Sequence, residues 1–108
     1  DARHLRYAAA RAASAAGIGL GNDAETTDAP ARAVLRAAAL NILSVELTAV
    51  QGLFALNLMS TKELKDFLGT WRSGAHRIAI VEQQIIKDLP AEEATAWRRL
   101  WEDHARLW

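Results

Sequence analysis

A chain of 108 residues is long enough to bury one hydrophobic core and too short for two, so the sequence predicts a single domain over 1–108. Apolar residues make up 51% of it, which excludes general disorder. The 13 basic and 13 acidic residues balance, so we expect no nucleic-acid partner, and the absence of cysteine excludes disulfides and thiolate zinc sites. Because the chain begins at Asp1, we expect a processed mature form, periplasmic or secreted, or an excised domain.

The first predicted helix covers residues 2–16 and carries a stripe of small, mostly alanine side chains that would let another helix approach closely. Gly17 is suited to end it, because glycine readily adopts the left-handed conformation of a helix cap. Residues 17–29 form the longest predicted loop. A long loop in a small domain often carries function, but we favour a plain crossover connection here.

The second predicted helix covers residues 30–59 and begins at Pro30, which is favoured in a first turn. Only three charges lie between residues 31 and 59, and apolar side chains fall on almost every side of the helix. Such a helix is typical of a buried core. The stretch 37–59 is also long enough to span a membrane, but its polar residues, with Glu46 near the middle, favour a core helix, so we expect no membrane span.

The third predicted helix covers residues 61–88. It opens with a capping box, Ser60 followed three residues later by Glu63, and its apolar residues recur at alternating spacings of three and four. Pro90 ends it and opens a fourth helix over 90–107. Four helices with short connections predict an all-α fold, an antiparallel up-down-up-down four-helix bundle.

Two carboxylates fall on apolar helix faces, those of Glu46 and Glu82. They could bind one metal ion together, or each could form an ion pair with an arginine. We favour ion pairs, because the Glu-x-x-His motif of carboxylate-bridged metal bundles is absent from the sequence. The candidate partners are Arg6, Arg11, Arg72 and Arg98.

His104 shares the apolar face of the fourth helix with Trp97, Trp101 and Trp108. A histidine in that setting is most often a hydrogen-bonded core residue, and otherwise it could be a cofactor ligand. The tryptophans have two interpretations as well. They could fill the core, which we favour, or form a patch that faces a partner, to which Ile80 on the predicted outer side of the third helix would belong.

The segments Leu35-Arg36-Ala37-Ala38-Ala39-Leu40 and Glu63-Leu64-Lys65-Asp66-Phe67, with His104 near the end of the chain, resemble the small periplasmic b-type haem cytochromes of four-helix-bundle type, relatives of the cytochromes c′. The resemblance implies haem b, with His104 as the proximal ligand.

By the same resemblance, Phe67 and Trp71 would line the haem pocket. The sequence departs from the family in two places. The methionine ligand that the b-type members carry in the first helix is missing from residues 7–10, and the Cys-x-x-Cys-His motif of the c-type members is missing before His104. The sixth ligand would therefore be His4, or there would be none.

No nucleophile is paired with a base in the sequence, so we predict a protein that is not an enzyme. The leading hypothesis is a helical bundle that acts by protein association, as a homodimer or as a subunit of a larger assembly. The alternative is a haem- or metal-binding bundle for electron transfer or gas sensing that uses His104.

Overall fold

The computed structural model describes residues 2–20 and 28–108, and most of the predicted loop 17–29 lies outside them. Within the described residues every element is a helix and there is no strand, which confirms the all-α prediction. The helices are α1 (Ala2–Gly17), α2 (Ala29–Ala55), α3 (Thr61–Arg72), α4 (Gln83–Ile86) and α5 (Ala91–Leu107). The longest dimension of the domain, 44 Å, is close to the length of about 40 Å expected for the 27 residues of α2.

Local signals explain where α2 begins and ends. Asp28 caps its N-terminus, because its carboxylate accepts a hydrogen bond from the amide of Ala31 at 2.9 Å. The helix ends at Ala55, four residues before the predicted end at Met59. Asn57 has a φ of 60°, in the left-handed region. The amides of Asn57 and Leu58 donate back to the carbonyls of Phe54 and Leu53, which is the Schellman motif that ends a helix.

The predicted helix over 61–88 is wrong beyond Arg72, although the capping box at its start is present. Gly74 has a φ of 76°, and the amide of Ile78 returns to donate to the carbonyl of Trp71 at 2.9 Å. Ile78 and Ile80 are both fully buried. Two residues that are two apart point about 200° away from each other on a helix, so a non-helical segment is what allows both to enter the core.

The break in this helix moves two predicted positions. Glu82, predicted to face the core, is exposed just before the single-turn helix α4. One of its carboxylate oxygens lies 3.7 Å from a guanidinium nitrogen of Arg77. Ile80, predicted to face solvent, is buried, and its carbonyl accepts a hydrogen bond from the indole of Trp101 at 2.9 Å.

The core is centred on Trp71 of α3, which is fully buried. Its ring stacks on Tyr7 of α1, with 6.1 Å between ring centroids, and contacts Trp101 and His104 of α5. The hydroxyl of Tyr7 donates to the carbonyl of His76 at 2.6 Å, and burial raises the pKa of Tyr7 to about 12. These aromatic contacts join α1, α3 and α5.

Arg36 joins α2 to α1 and α5. Its guanidinium donates to the last carbonyl of α1, that of Gly17, at 2.8 Å, and to both carboxylate oxygens of Glu93 at 2.8 and 3.0 Å. Gly17 is so close to α2 that a β-carbon on it would lie 3.1 Å from the backbone nitrogen of Arg36. The end of α1 is therefore held directly against the backbone of α2.

Candidate functional site

One side of α2 is exposed along its whole length. We call this side the outer face of α2 and define it by eight exposed positions separated alternately by three and four residues. They are Ala31, Val34, Ala38, Asn41, Val45, Thr48, Gly52 and Ala55. All of α2 is described, and none of its exposed residues carries a charge, since Arg32, Arg36 and Glu46 are all at least partly buried.

The outer face is uncharged and consists mostly of small and apolar residues, with Asn41 and Thr48 as its polar positions. Val34 and Val45 are 69% and 57% exposed, and the turn after α2 adds Leu56 and Leu58, at 70% and 68%. An 18-residue window of α2 has a mean hydropathy of 1.6 with only 28% of its residues buried, so by length and composition α2 could also cross a membrane. The sequence predicted a helix buried on almost every side, whereas the structure buries only the inner side of α2. Its buried residues are Ala39, Leu43, Glu46, Leu47 and Val50.

Glu46 is the only buried acidic group among the described residues, and it forms ion pairs with two arginines of α1. Arg6 donates to one carboxylate oxygen, and the Nε of Arg3 lies 3.9 Å from the other. The predicted pairing of Glu46 with an arginine is confirmed. A metal ion shared with Glu82 has no support, because Glu82 is exposed and no cluster of three potential ligands occurs in the described residues.

His104 is buried, and both of its ring nitrogens have partners. Its Nε2 lies 2.8 Å from the carbonyl of Leu68, which can only accept, so Nε2 carries the proton. Its Nδ1 accepts from Arg72 at 3.4 Å. Burial lowers the pKa of His104, the hydrogen bond to Leu68 offsets part of that fall, and the charge of Arg72 adds to it. His104 is therefore a neutral, hydrogen-bonded core residue.

The predicted haem ligands do not lie together. His4 lines a pocket of about 240 Å³ with Phe67 and Trp71, whereas His104 lines a different pocket of about 400 Å³ with Arg72. Haem iron binds the lone pair of a ring nitrogen, and the only lone pair of His104 points at a guanidinium. The residues therefore do not fit a haem held by His104 and His4, and we derive no function from that group.

Three of the four residues predicted as interface candidates are buried in the core: Trp97, Trp101 and Ile80. Trp97 and Trp101 therefore pack in the core, which is the interpretation favoured from the sequence. Trp108 is 58% exposed, covers Gly69 and lies 5.7 Å from the ammonium of Lys65. The exposed surface that sequence reasoning missed is the outer face of α2, and the regular spacing of its small residues was the available signal.

Comparisons with protein-family models, with curated proteins and with solved structures find no match for this chain. The resemblance to the haem cytochromes therefore rests on the residues quoted for it alone.

Proposed function

We propose that this domain acts without catalysis, by associating with protein through the outer face of α2, as a homodimer or as a subunit of a larger assembly. The observation that carries the proposal is a helix of 27 residues whose exposed side carries no charge and consists mostly of small and apolar residues. Contiguous apolar surface of this kind is typical of sites that bind another protein or a membrane.

The size of the apolar surface indicates what the partner must provide. Val34, Val45, Leu56 and Leu58 are each more than half exposed, and burying each would contribute about 1–2 kcal/mol. One copy therefore supplies about 4–8 kcal/mol, whereas association costs about 4–15 kcal/mol. A partner with a comparable apolar surface would double the favourable free energy of burial, which would then exceed most values in the range of the association cost.

The inner side of α2 favours protein over a bilayer as the partner. If α2 left the fold to span a membrane, Glu46 would lose its two arginines and Arg36 would lose Glu93. Breaking a buried ion pair costs about 3–5 kcal/mol, and a charge in the middle of a membrane helix adds to that. A protein partner can cover the outer face while both pairs stay intact.

Sedimentation equilibrium from about 1 μM to about 1 mM tests the proposal, because this range covers weak and moderate affinities. We expect the mass to rise above the 11.8 kDa of one chain, and Val45→Glu to restore a monomer. Thr95→Glu, on the exposed side of α5, is the matched control and should leave the mass unchanged.

A single species of 11.8 kDa at every concentration, the same for Val45→Glu, would contradict the homodimer and leave only association with a different protein. Flotation with vesicles of neutral lipid tests the bilayer. If the wild type floats with the vesicles and Val45→Glu does not, the outer face binds lipid and the proposed protein partner is wrong.

We also propose that the four longer helices form the antiparallel up-down-up-down bundle that the sequence predicts. Two ion pairs support the helix directions: Arg6 near the start of α1 pairs with Glu46 in the second half of α2, and Arg36 near the start of α2 pairs with Glu93 in the first turn of α5. Spin labels at the exposed Leu5 and Ala105 should be close together, because the start of α1 would lie beside the end of α5. A separation larger by the length of α5, about 25 Å, would contradict it.

A further inference from the structure

We propose that the pocket between α3 and α5 binds a small organic acid, a carboxylate attached to an apolar body, and that Arg72 pairs with the carboxylate. The pocket has a volume of about 400 Å³, which is within the range of small-molecule sites. The described residues that line it belong to α3, to α5 and to the position after α3, and none belongs to α2. This site is therefore independent of the outer face of α2.

Arg72 is held in position by α5. Its Nε donates to Nδ1 of His104 at 3.4 Å, and its Nη2 donates to the carbonyl of Trp101 at 3.1 Å. Its guanidinium carbon also lies 4.8 Å from the centroid of the Trp101 ring. These contacts leave most of the N–H groups of the guanidinium available. A side chain that is already ordered loses little conformational entropy when it binds a ligand.

The charge of Arg72 is not matched by an acid. Within the part of the chain that the structure describes, no carboxylate forms an ion pair with it. Burial lowers the pKa of Arg72, and no acidic neighbour raises it again. A second cation, Lys65, is seven residues earlier on the same face of α3, and its ammonium lies 5.7 Å from the centroid of the Trp108 ring. The C-terminus of α5 contributes only about half a negative charge, so the pocket favours an anion.

The polar groups of the pocket require a ligand that accepts hydrogen bonds. The hydroxyl of Ser73 donates to the carbonyl of Gly69 at 2.9 Å, and Nε2 of His104 donates to the carbonyl of Leu68 at 2.8 Å. Neither group has a second proton to offer in its present state. The remaining side-chain donors are the available N–H groups of Arg72. A carboxylate only accepts, and its two oxygens match the fork of one guanidinium.

The other residues that line the pocket are apolar or small, and they favour a carboxylate over a phosphate. They are Leu68, Gly69, Ala105 and Trp108. The ring of Trp108 is partly exposed and offers a flat surface on which an apolar ligand can pack. A phosphate has no apolar surface, and it would lose water against these walls without gaining enough hydrogen bonds in return.

NMR titration of the full chain with phenylpropionate tests the proposal. We expect the indole N–H signal of Trp108 to shift, with a Kd on the order of 1 mM, because a small ligand has few atoms that contribute to binding. Phenylpropionamide has the same body without the charge, and inorganic phosphate has charge without the body. Both should bind at least about tenfold more weakly. N-acetylphenylalanine mimics the carboxyl end of a peptide, so its affinity relative to phenylpropionate distinguishes a peptide terminus from a free acid.

Two variants test the residues. Arg72→Gln should weaken binding of phenylpropionate at least about tenfold, because a hydrogen-bonded charge pair is lost. Arg99→Gln, at an exposed position of α5 outside the pocket, is the matched control and should leave the affinity unchanged. Ala105→Leu keeps Arg72 and fills the pocket from an exposed position, so it should weaken binding without unfolding the domain.

The outcomes separate this site from simpler explanations. Equal binding of the amide would show that Arg72 has no part in recognition, and equal binding of phosphate would show a general anion site. No saturable shift up to about 10 mM phenylpropionate would show that Arg72 only joins α3 to α5. Each of these results, or an unchanged affinity in both variants, would overturn the proposal and leave association through α2 untouched.

Discussion

The buried carboxylate of Glu46 allows a direct test of how this core holds a charge. Only 1% of its side chain is exposed, whereas its partners Arg3 and Arg6 are 35% and 52% exposed. The arginines can therefore turn toward water if the acid is lost. The acid cannot reach water if the arginines are lost, so the two kinds of substitution should have very different effects on stability.

Glu46→Leu removes the buried charge and keeps a side chain of similar size. Replacing a buried ion pair by apolar groups is often neutral or stabilising, so the free energy of unfolding should stay within about 1 kcal/mol of the wild type or rise. The double variant Arg3→Met/Arg6→Met leaves the buried charge unpaired and should lose about 3–5 kcal/mol. With Glu46→Leu already present, the same two arginine substitutions should cost less than about 1 kcal/mol.

Urea unfolding followed by tryptophan fluorescence measures these differences, because Trp71 and Trp97 are fully buried and report on the whole core. Arg106→Met is the control, since its ion pair with Asp103 is at the surface and should contribute less than about 1 kcal/mol. The reasoning fails if Glu46→Leu costs as much as the double arginine variant, or if the arginine substitutions cost the same with and without Glu46.

Three further predictions concern stability. Gly17→Ala should lose about 1–3 kcal/mol in urea unfolding because the new methyl group meets the backbone of Arg36, whereas Gly52→Ala, with no atom within 4 Å, should gain up to about 1 kcal/mol in dilute protein. The reverse order would contradict the packing described. Burial lowers the pKa of His104 in the folded state, so the neutral imidazole stabilises the fold fully above the unfolded pKa of about 6.5. This stabilisation is lost as the pH falls below that value, because the unfolded chain then takes up the proton more readily than the folded one. Urea unfolding measured against pH should show the loss of stability, and the loss should be smaller in His104→Gln. Tyr7→Phe leaves a carbonyl without its donor and should cost about 1–3 kcal/mol by thermal or urea unfolding, and an unchanged stability would show that this hydrogen bond contributes little.

Much of the fold could be predicted because short-range signals set the helix starts. Pro30, the capping box at Ser60 and Pro90 each act within one turn of helix, and each begins a helix where the sequence predicts it. The predicted pairing of Glu46 with arginine also holds, since a buried acid needs a partner whatever the topology.

The missed features depend on contacts between distant residues. The apolar spacing over 61–88 fits a helix, but the contact of Trp101 with the carbonyl of Ile80 and the buried side chains of Ile78 and Ile80 favour a different backbone. The exposure of α2 could not be read from its composition either. Alanine and valine suit a core and a surface seam equally, and only the placement of the other helices decides which side of α2 is covered.

The ion pair and hydrogen bonds of Arg36 have a consequence for the order in which the domain opens. One guanidinium holds the last carbonyl of α1 and the first turn of α5 against α2, so neither helix can detach without weakening the attachment of the other. Local opening at the end of α1 is thereby coupled to local opening at the start of α5. In native-state hydrogen exchange, amides at the end of α1 and the start of α5 should share one opening free energy and behave as a single cooperative unit.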